Sequence, residues 1–162
     1  MHLEGSCHCG AVTFSLDSET PYPYMRCYCS ICRKTGGGGG FAVNVMGNAD
    51  TLSVEGGGNV AVYRVKKEDG HLSDAHRHFC KLCGSALYVS DPRWPDLVHP
   101  FASAIDSGLP TPPEYVHIML DSAVPWAEVP GDPKDVTSPN SRPTPSRTGT
   151  SATASTAPDR PY

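Results

Sequence analysis

The sequence has no run of apolar residues long enough to cross a membrane, since a spanning helix needs about 20 of them in succession. It also has no basic stripe and no run of lysine or arginine, and its net charge is −4. Nucleic-acid binding needs a positive surface, so this composition argues against it. No basic segment followed by an apolar stretch precedes Cys7, as it would in a secretory signal. We therefore expect a cytoplasmic protein that binds neither membranes nor nucleic acid.

The sequence lacks a long segment with apolar residues at the 3.6-residue spacing of a helix. Short alternating runs are present instead. Val12, Phe14 and Leu16 alternate with polar residues, as in a half-buried strand. Similar runs predict strands at residues 41–45, 60–65, 85–89, 98–104 and 115–120. The run at 60–65 is apolar on both faces, so we expect it to be buried on both. These patterns predict an all-β fold of short, mainly antiparallel strands with at most one short helix.

Large apolar residues become scarce near the C-terminus. Residues 131–162 consist mostly of Ser, Thr, Pro, Ala and Gly. Such a segment cannot bury enough apolar surface to offset the conformational entropy lost on ordering. We therefore predict one folded domain at residues 1–130 and a disordered, low-complexity tail at residues 131–162.

The cysteines fall into three groups, and none lies outside them. There are seven: Cys7 and Cys9, then Cys27, Cys29 and Cys32, then Cys80 and Cys83. An odd number excludes complete disulfide pairing within one chain, and a Cys-x-Cys disulfide would close a small, strained ring. In a reducing compartment, clustered thiols bind metal or catalyse more often than they form disulfides. The pattern therefore predicts metal binding.

The first and last groups together suit a closed metal site. Cys80 and Cys83, followed by glycine, have the form of a zinc knuckle, in which both sulfurs point at one ion. Cys7 and Cys9 offer a second pair that is also followed by glycine. Four thiolates complete a tetrahedral shell, so this set predicts a structural zinc ion.

The central group suits an open metal site. Cys27, Cys29 and Cys32 supply three thiolates, and three protein ligands plus a vacant position are typical of catalytic zinc. Arg33 and Lys34 follow directly. Their charge would offset that of the thiolates and attract an anionic substrate, so both are candidate substrate-binding residues. We expect two zinc ions per chain.

Other groupings are open on spacing alone. Cys7 and Cys9 could join Cys27, and a four-cysteine iron–sulfur cluster is compatible with the residue types. His99 and His117 lie on predicted strands, and either is a candidate fourth ligand or general acid at the central site.

The order of these motifs resembles the glutathione-dependent formaldehyde-activating enzyme family, which includes the centromere protein V type of domain. The segments that carry the resemblance are residues 5–12, 27–34 and 79–85, and the similarity extends over roughly residues 3–130. The resemblance implies a β-tent fold with two zinc ions. It also implies structural zinc at Cys7, Cys9, Cys80 and Cys83, and catalytic zinc at Cys27, Cys29 and Cys32.

The activity that the resemblance implies is formation of S-(hydroxymethyl)glutathione from glutathione and formaldehyde, a carbon–sulfur lyase reaction between a thiol and a small aldehyde. One departure is clear: family members usually have histidine at the position of Tyr28. This leaves the ligands in place but alters the groups that surround them. Two alternatives to the lyase are a zinc-stabilised protein-binding module without catalysis, and redox or metal sensing by the central thiolates.

Overall fold

The computed structural model describes residues 1–19, 21–131 and 136–137. Within these residues the chain forms short strands and one short α-helix, α1 (Ser30–Gly36). The strands, in chain order, are β1 (His2–Ser6), β2 (Thr13–Asp17), β3 (Tyr24–Cys27), β4 (Ala42–Asn44), β5 (Gly47–Asn48), β6 (Ser53–Glu55), β7 (Val60–Tyr63), β8 (His76–Cys80), β9 (Ala86–Ser90), β10 (Leu97–Pro100), β11 (Tyr115–Ile118) and β12 (Val136–Thr137).

The strands form three open sheets. One has the order β1-β2-β6 and a second the order β5-β10-β9-β8-β7, and both are antiparallel. The third has the order β12-β11-β3-β4, in which β11 runs parallel to both β3 and β12. The predicted all-β fold of short, mainly antiparallel strands is therefore confirmed. Among the described residues, no helix is long and apolar enough to span a membrane.

Strands of all three sheets contribute buried side chains to the core, and β2 shows the alternation most clearly. On β2, Phe14 and Leu16 are buried, and Leu16 lies opposite Leu3 of β1. Val12, just before β2, is also buried. The alternation seen in the sequence thus marks the buried face of this strand, because successive side chains of a strand point to opposite sides.

The expectation that the strand at residues 60–65 is buried on both faces is wrong. The strand there, β7, is the outermost strand of its sheet and pairs only with β8. Val62 is 50% exposed and Tyr63 is 44% exposed, so neither face is buried. An edge strand can be as apolar as a central one, and the local pattern does not distinguish them. The predicted tail falls outside the described residues, apart from Gly131 and β12.

Candidate metal centres

Four cysteine sulfurs meet where the chain leaves β1 and where β8 ends. The sulfurs of Cys7, Cys9, Cys80 and Cys83 all lie within 4.8 Å of one another. The Sγ–Sγ distance is 3.5 Å between Cys7 and Cys9 and 3.8 Å between Cys9 and Cys80. Sulfurs that share a tetrahedral zinc ion at about 2.3 Å are about 3.8 Å apart. The cluster therefore has the donors and the dimensions of a closed four-sulfur metal site.

Each cysteine pair sits on a turn of the same design. The N–H of Gly10 donates to the Cys7 carbonyl at 2.9 Å, and the N–H of Gly84 donates to the Cys80 carbonyl at 2.8 Å. Both glycines have positive φ, 73° and 77°, which glycine adopts without steric cost. Each turn thus brings its own two sulfurs together, and the fold brings the two turns together.

Hydrogen bonds lower the pKa of two of the four cysteines in this cluster, Cys7 and Cys83. The backbone N–H of Val12 donates to Cys7 Sγ at 3.2 Å. The Ser85 hydroxyl lies 3.2 Å from Cys83 Sγ, and this bond, with others from nearby backbone N–H groups, lowers the pKa of Cys83 to about 5. Metals bind the thiolate form, so these donors suit a metal site.

The other three cysteines form a separate cluster at the start of α1. Cys27 ends β3, Cys29 is the N-cap of the helix, and Cys32 lies in its first turn. Their sulfurs lie within 4.8 Å of one another, and among the described residues no fourth Cys, His, Asp or Glu ligand atom joins them. Cys27 and Cys32 are buried, whereas Cys29 is half-buried. The cluster therefore has one side that solvent can reach.

Cys29 is the cysteine of this cluster whose thiolate form is most favoured. Hydrogen bonds from the thiols of Cys27 and Cys32 lower the pKa of Cys29 strongly, with help from the backbone N–H groups of Cys32 and Ile31. The Cys32 N–H lies 3.3 Å from Cys29 Sγ. This thiolate accepts hydrogen bonds from two neighbouring thiols. When those thiols lose their protons, the three sulfurs can bind one soft cation instead. The donor set therefore fits zinc.

Cys7 and Cys9 thus meet Cys80 and Cys83, and they do not join Cys27. His117, a candidate fourth ligand, lies outside the central cluster. Its Nδ1 is 2.9 Å from the hydroxyl of Tyr28, and the two rings stack with centroids 5.7 Å apart.

The Tyr28–His117 contact joins the end of β3 to β11. Tyr28 is fully buried and His117 is 2% exposed. The backbone N–H of Tyr28 also donates to the carbonyl of Ile118 at 3.1 Å. The aromatic residue between Cys27 and Cys29 therefore fixes the segment that carries both cysteines. The sequence shows Tyr28 as a departure from the family pattern but does not show its partner, which lies 89 residues away.

We expect Tyr28→Phe to reduce the free energy of unfolding by about 1–3 kcal/mol, because it removes a buried hydrogen bond and leaves His117 with one partner fewer. Urea unfolding of the metal-loaded protein measures this. Tyr63→Phe is the matched control, since the Tyr63 side chain is 44% exposed, and it should change the stability little. Equal stabilities for the two variants would contradict a supporting role for the Tyr28 hydroxyl.

The glycine run after the helix is packed. The ring of Phe101 lies against Gly36, and a Cβ at Gly37 would collide with the carbonyl oxygen of Phe41. Gly40 is buried and has a φ of 88°. These glycines let the chain turn tightly from α1 into β4. They therefore fix the position of the helix that carries Cys32.

A cavity of about 550 Å³ opens beside α1. Its wall includes Lys34 and Thr35 of the helix, Arg77 and His78 of β8, and the ring of Phe101. Of the two predicted substrate-binding residues, Lys34 lines this cavity and is exposed.

Arg33 is half-buried and is not part of the cavity lining. Its Nε is buried and has no hydrogen-bond partner among the described residues. Arg77 is a cavity residue that the sequence does not single out, because a cation between two histidines on a strand looks like an ordinary surface charge. The fold places it at this cavity, which residues of β8 and α1 line together.

Comparison with known proteins agrees with this geometry. The family described as glutathione-dependent formaldehyde-activating enzyme matches residues 2–121. A curated protein from Halomonas elongata, named "Putative glutathione-dependent formaldehyde-activating enzyme", is 61% identical over 129 residues, which are 80% of this chain and 82% of that protein. A crystal structure of a Rhodobacter sphaeroides protein has a TM-score of 0.53 and 25% identity, and the match covers 66% of this chain and 91% of that one. The chain therefore belongs to the glutathione-dependent formaldehyde-activating enzyme family.

Proposed function

We propose that the protein is a zinc-dependent carbon–sulfur lyase that interconverts glutathione plus formaldehyde with S-(hydroxymethyl)glutathione. In this proposal Cys27, Cys29 and Cys32 hold the catalytic zinc ion. A second zinc ion has a structural role and is held by the closed cluster, whose members are Cys7, Cys9, Cys80 and Cys83. The family to which the chain belongs supports the substrates, and the cysteine geometry supports the division of roles.

The observation that carries the proposal is the difference between the two clusters. One brings together four sulfurs and the other three, within the same limit of 4.8 Å. A tetrahedral ion at the second cluster would have one position left for a substrate atom. That cluster also lies on α1, the helix that forms part of the cavity wall.

A zinc ion bound by the three cysteines would lower the pKa of a substrate thiol and so present its sulfur as a nucleophile at neutral pH. Buried Cys27 and Cys32 shield two sides of the site from water, which strengthens electrostatic interactions there. Half-buried Cys29 marks the side from which substrate enters. Tyr28 and His117 hold the strand end that positions Cys27.

The reaction forms a C–S bond and an O–H bond, and it breaks the S–H bond and the π bond of the carbonyl group. The glutathione sulfur adds to the carbonyl carbon of formaldehyde, and the π pair of the C=O bond moves to oxygen. That oxygen takes up a proton, which balances the proton lost by the thiol. In the reverse direction the C–S bond breaks and formaldehyde leaves. The residues of the chain therefore need to bind the thiol compound, orient it and exclude competing water.

Exchange spectroscopy by NMR tests the proposal directly. We expect the zinc-loaded protein to accelerate exchange between free glutathione and S-(hydroxymethyl)glutathione in a mixture of glutathione and ¹³C-labelled formaldehyde. The control is Cys29→Ser, which is expected to keep the fold and the ion of the closed cluster and to lose only the central ion. An exchange rate equal to the uncatalysed one, in protein shown to hold two zinc ions, would remove this reaction from consideration.

A further inference from the structure

Arg77 has an unusual position for a surface-strand cation. It lies on β8 and lines the cavity beside α1. Its Nε and Nη1 are both buried, and neither has a hydrogen-bond partner in the part of the chain that the structure describes. Buried donors of this kind are costly unless something satisfies them. Because no group of the described chain takes up these donors, the guanidinium is available to an anion that enters the cavity, and its planar shape suits a carboxylate.

The charges of the residues around Arg77 favour an anionic ligand. Lys34 also lines the cavity and adds a second positive charge, and among the described residues that line it there is no aspartate or glutamate. Arg77 also lies within electrostatic reach of the Cys32 thiol. The cavity volume of about 550 Å³ is in the range of small-molecule sites.

We propose that Arg77 is the principal residue that binds a carboxylate of the thiol substrate, and that this contact orients the substrate so that its sulfur reaches the central cysteine cluster. This inference rests on the proposed function for the identity of the thiol. Lys34 assists from the cavity rim, where solvent weakens its contribution. The assignment differs from the expectation for Arg33, which is not among the cavity-lining residues.

S-methylglutathione is the suitable probe, because it keeps both carboxylates of glutathione and has no free thiol. Titration calorimetry with the zinc-loaded, full-length protein gives its dissociation constant. We expect Arg77→Gln to weaken binding about 10- to 100-fold, the range for loss of a hydrogen-bonded charge pair. Lys67→Gln removes the same charge at a half-exposed site outside the cavity, and it should leave binding unchanged.

Two further measurements keep this test decisive. If Arg77→Gln does not fold, Arg77→Lys retains the charge but loses the paired donors, and it should weaken binding by a smaller factor. Uncharged 2-mercaptoethanol should undergo formaldehyde exchange at the same rate with the Arg77 variant and with the unmodified protein.

Equal affinity of the unmodified protein and the Arg77 variants for S-methylglutathione would overturn the inference. So would failure of the unmodified protein to bind this probe, or loss of the central metal in Arg77→Gln without any change in affinity. If binding depends on Arg77 but no formaldehyde exchange occurs, the carboxylate site stands and the proposed reaction fails.

Discussion

Cys83→Ser should leave the chain largely insoluble. The Cys83 side chain is exposed, so no packing contact requires a sulfur atom at this position. Sulfur is required by the metal site proposed at the four-sulfur cluster, where a structural zinc ion would contribute on the order of 10 kcal/mol to folding. That equals or exceeds the stability of a typical domain. The measurement is the soluble fraction after expression, together with the zinc content of any protein recovered.

Leu82→Ser is the matched control for this prediction. Leu82 is the neighbouring residue, is 63% exposed and supplies no ligand, so its replacement should leave a soluble protein with two zinc ions. A soluble, folded Cys83→Ser protein that keeps the scaffold and loses only the central ion would reverse the assignment of the two clusters.

Cys29→Ser should have the opposite phenotype, with fold retained and chemistry lost. Cys29 is the N-cap of α1, and its side chain accepts the hydrogen bond of the Cys32 N–H. Serine is a preferred N-cap residue, so the helix keeps this bond. Serine does not replace a thiolate as a zinc ligand. We expect the zinc content to fall from two ions to one, with exchange activity reduced about a thousandfold or more because metal assistance is lost.

Metal analysis and circular dichroism, together with the NMR exchange assay, check this prediction. Lys67→Gln is a suitable control, because Lys67 is exposed, lies outside the cavity and supplies no metal ligand. If Cys29→Ser retained two zinc ions and full activity, Cys29 would not be a ligand and the three-sulfur site would be wrong.

Much of the scaffold can be predicted from local patterns. The alternation of Val12, Phe14 and Leu16 identifies a half-buried strand because neighbouring side chains of a strand face opposite sides. The cysteine spacings identify the pairs Cys7/Cys9 and Cys80/Cys83 because the glycine turn that brings each pair together is local. In both cases the residues that determine the local structure lie within a few positions of one another.

What could not be predicted depends on contacts between distant segments. The parallel pairing of β11 with β3 places His117 beside Tyr28, and no local signal encodes that register. The position of β7 at a sheet edge leaves Val62 exposed, although its sequence resembles a buried strand. Arg77 became a candidate only through the cavity that β8 and α1 form together.

The central claim is that sulfur saturates one metal site and leaves the other open. Cobalt substitution tests it, because the visible absorption of Co²⁺ reports its ligands. With two cobalt ions per chain, addition of 2-mercaptoethanol should alter the spectrum of one ion, and the change should be absent in Cys29→Ser. A spectrum that thiol does not alter in the unmodified protein would mean that both sites are closed, which would contradict the claim and favour a zinc-stabilised binding module.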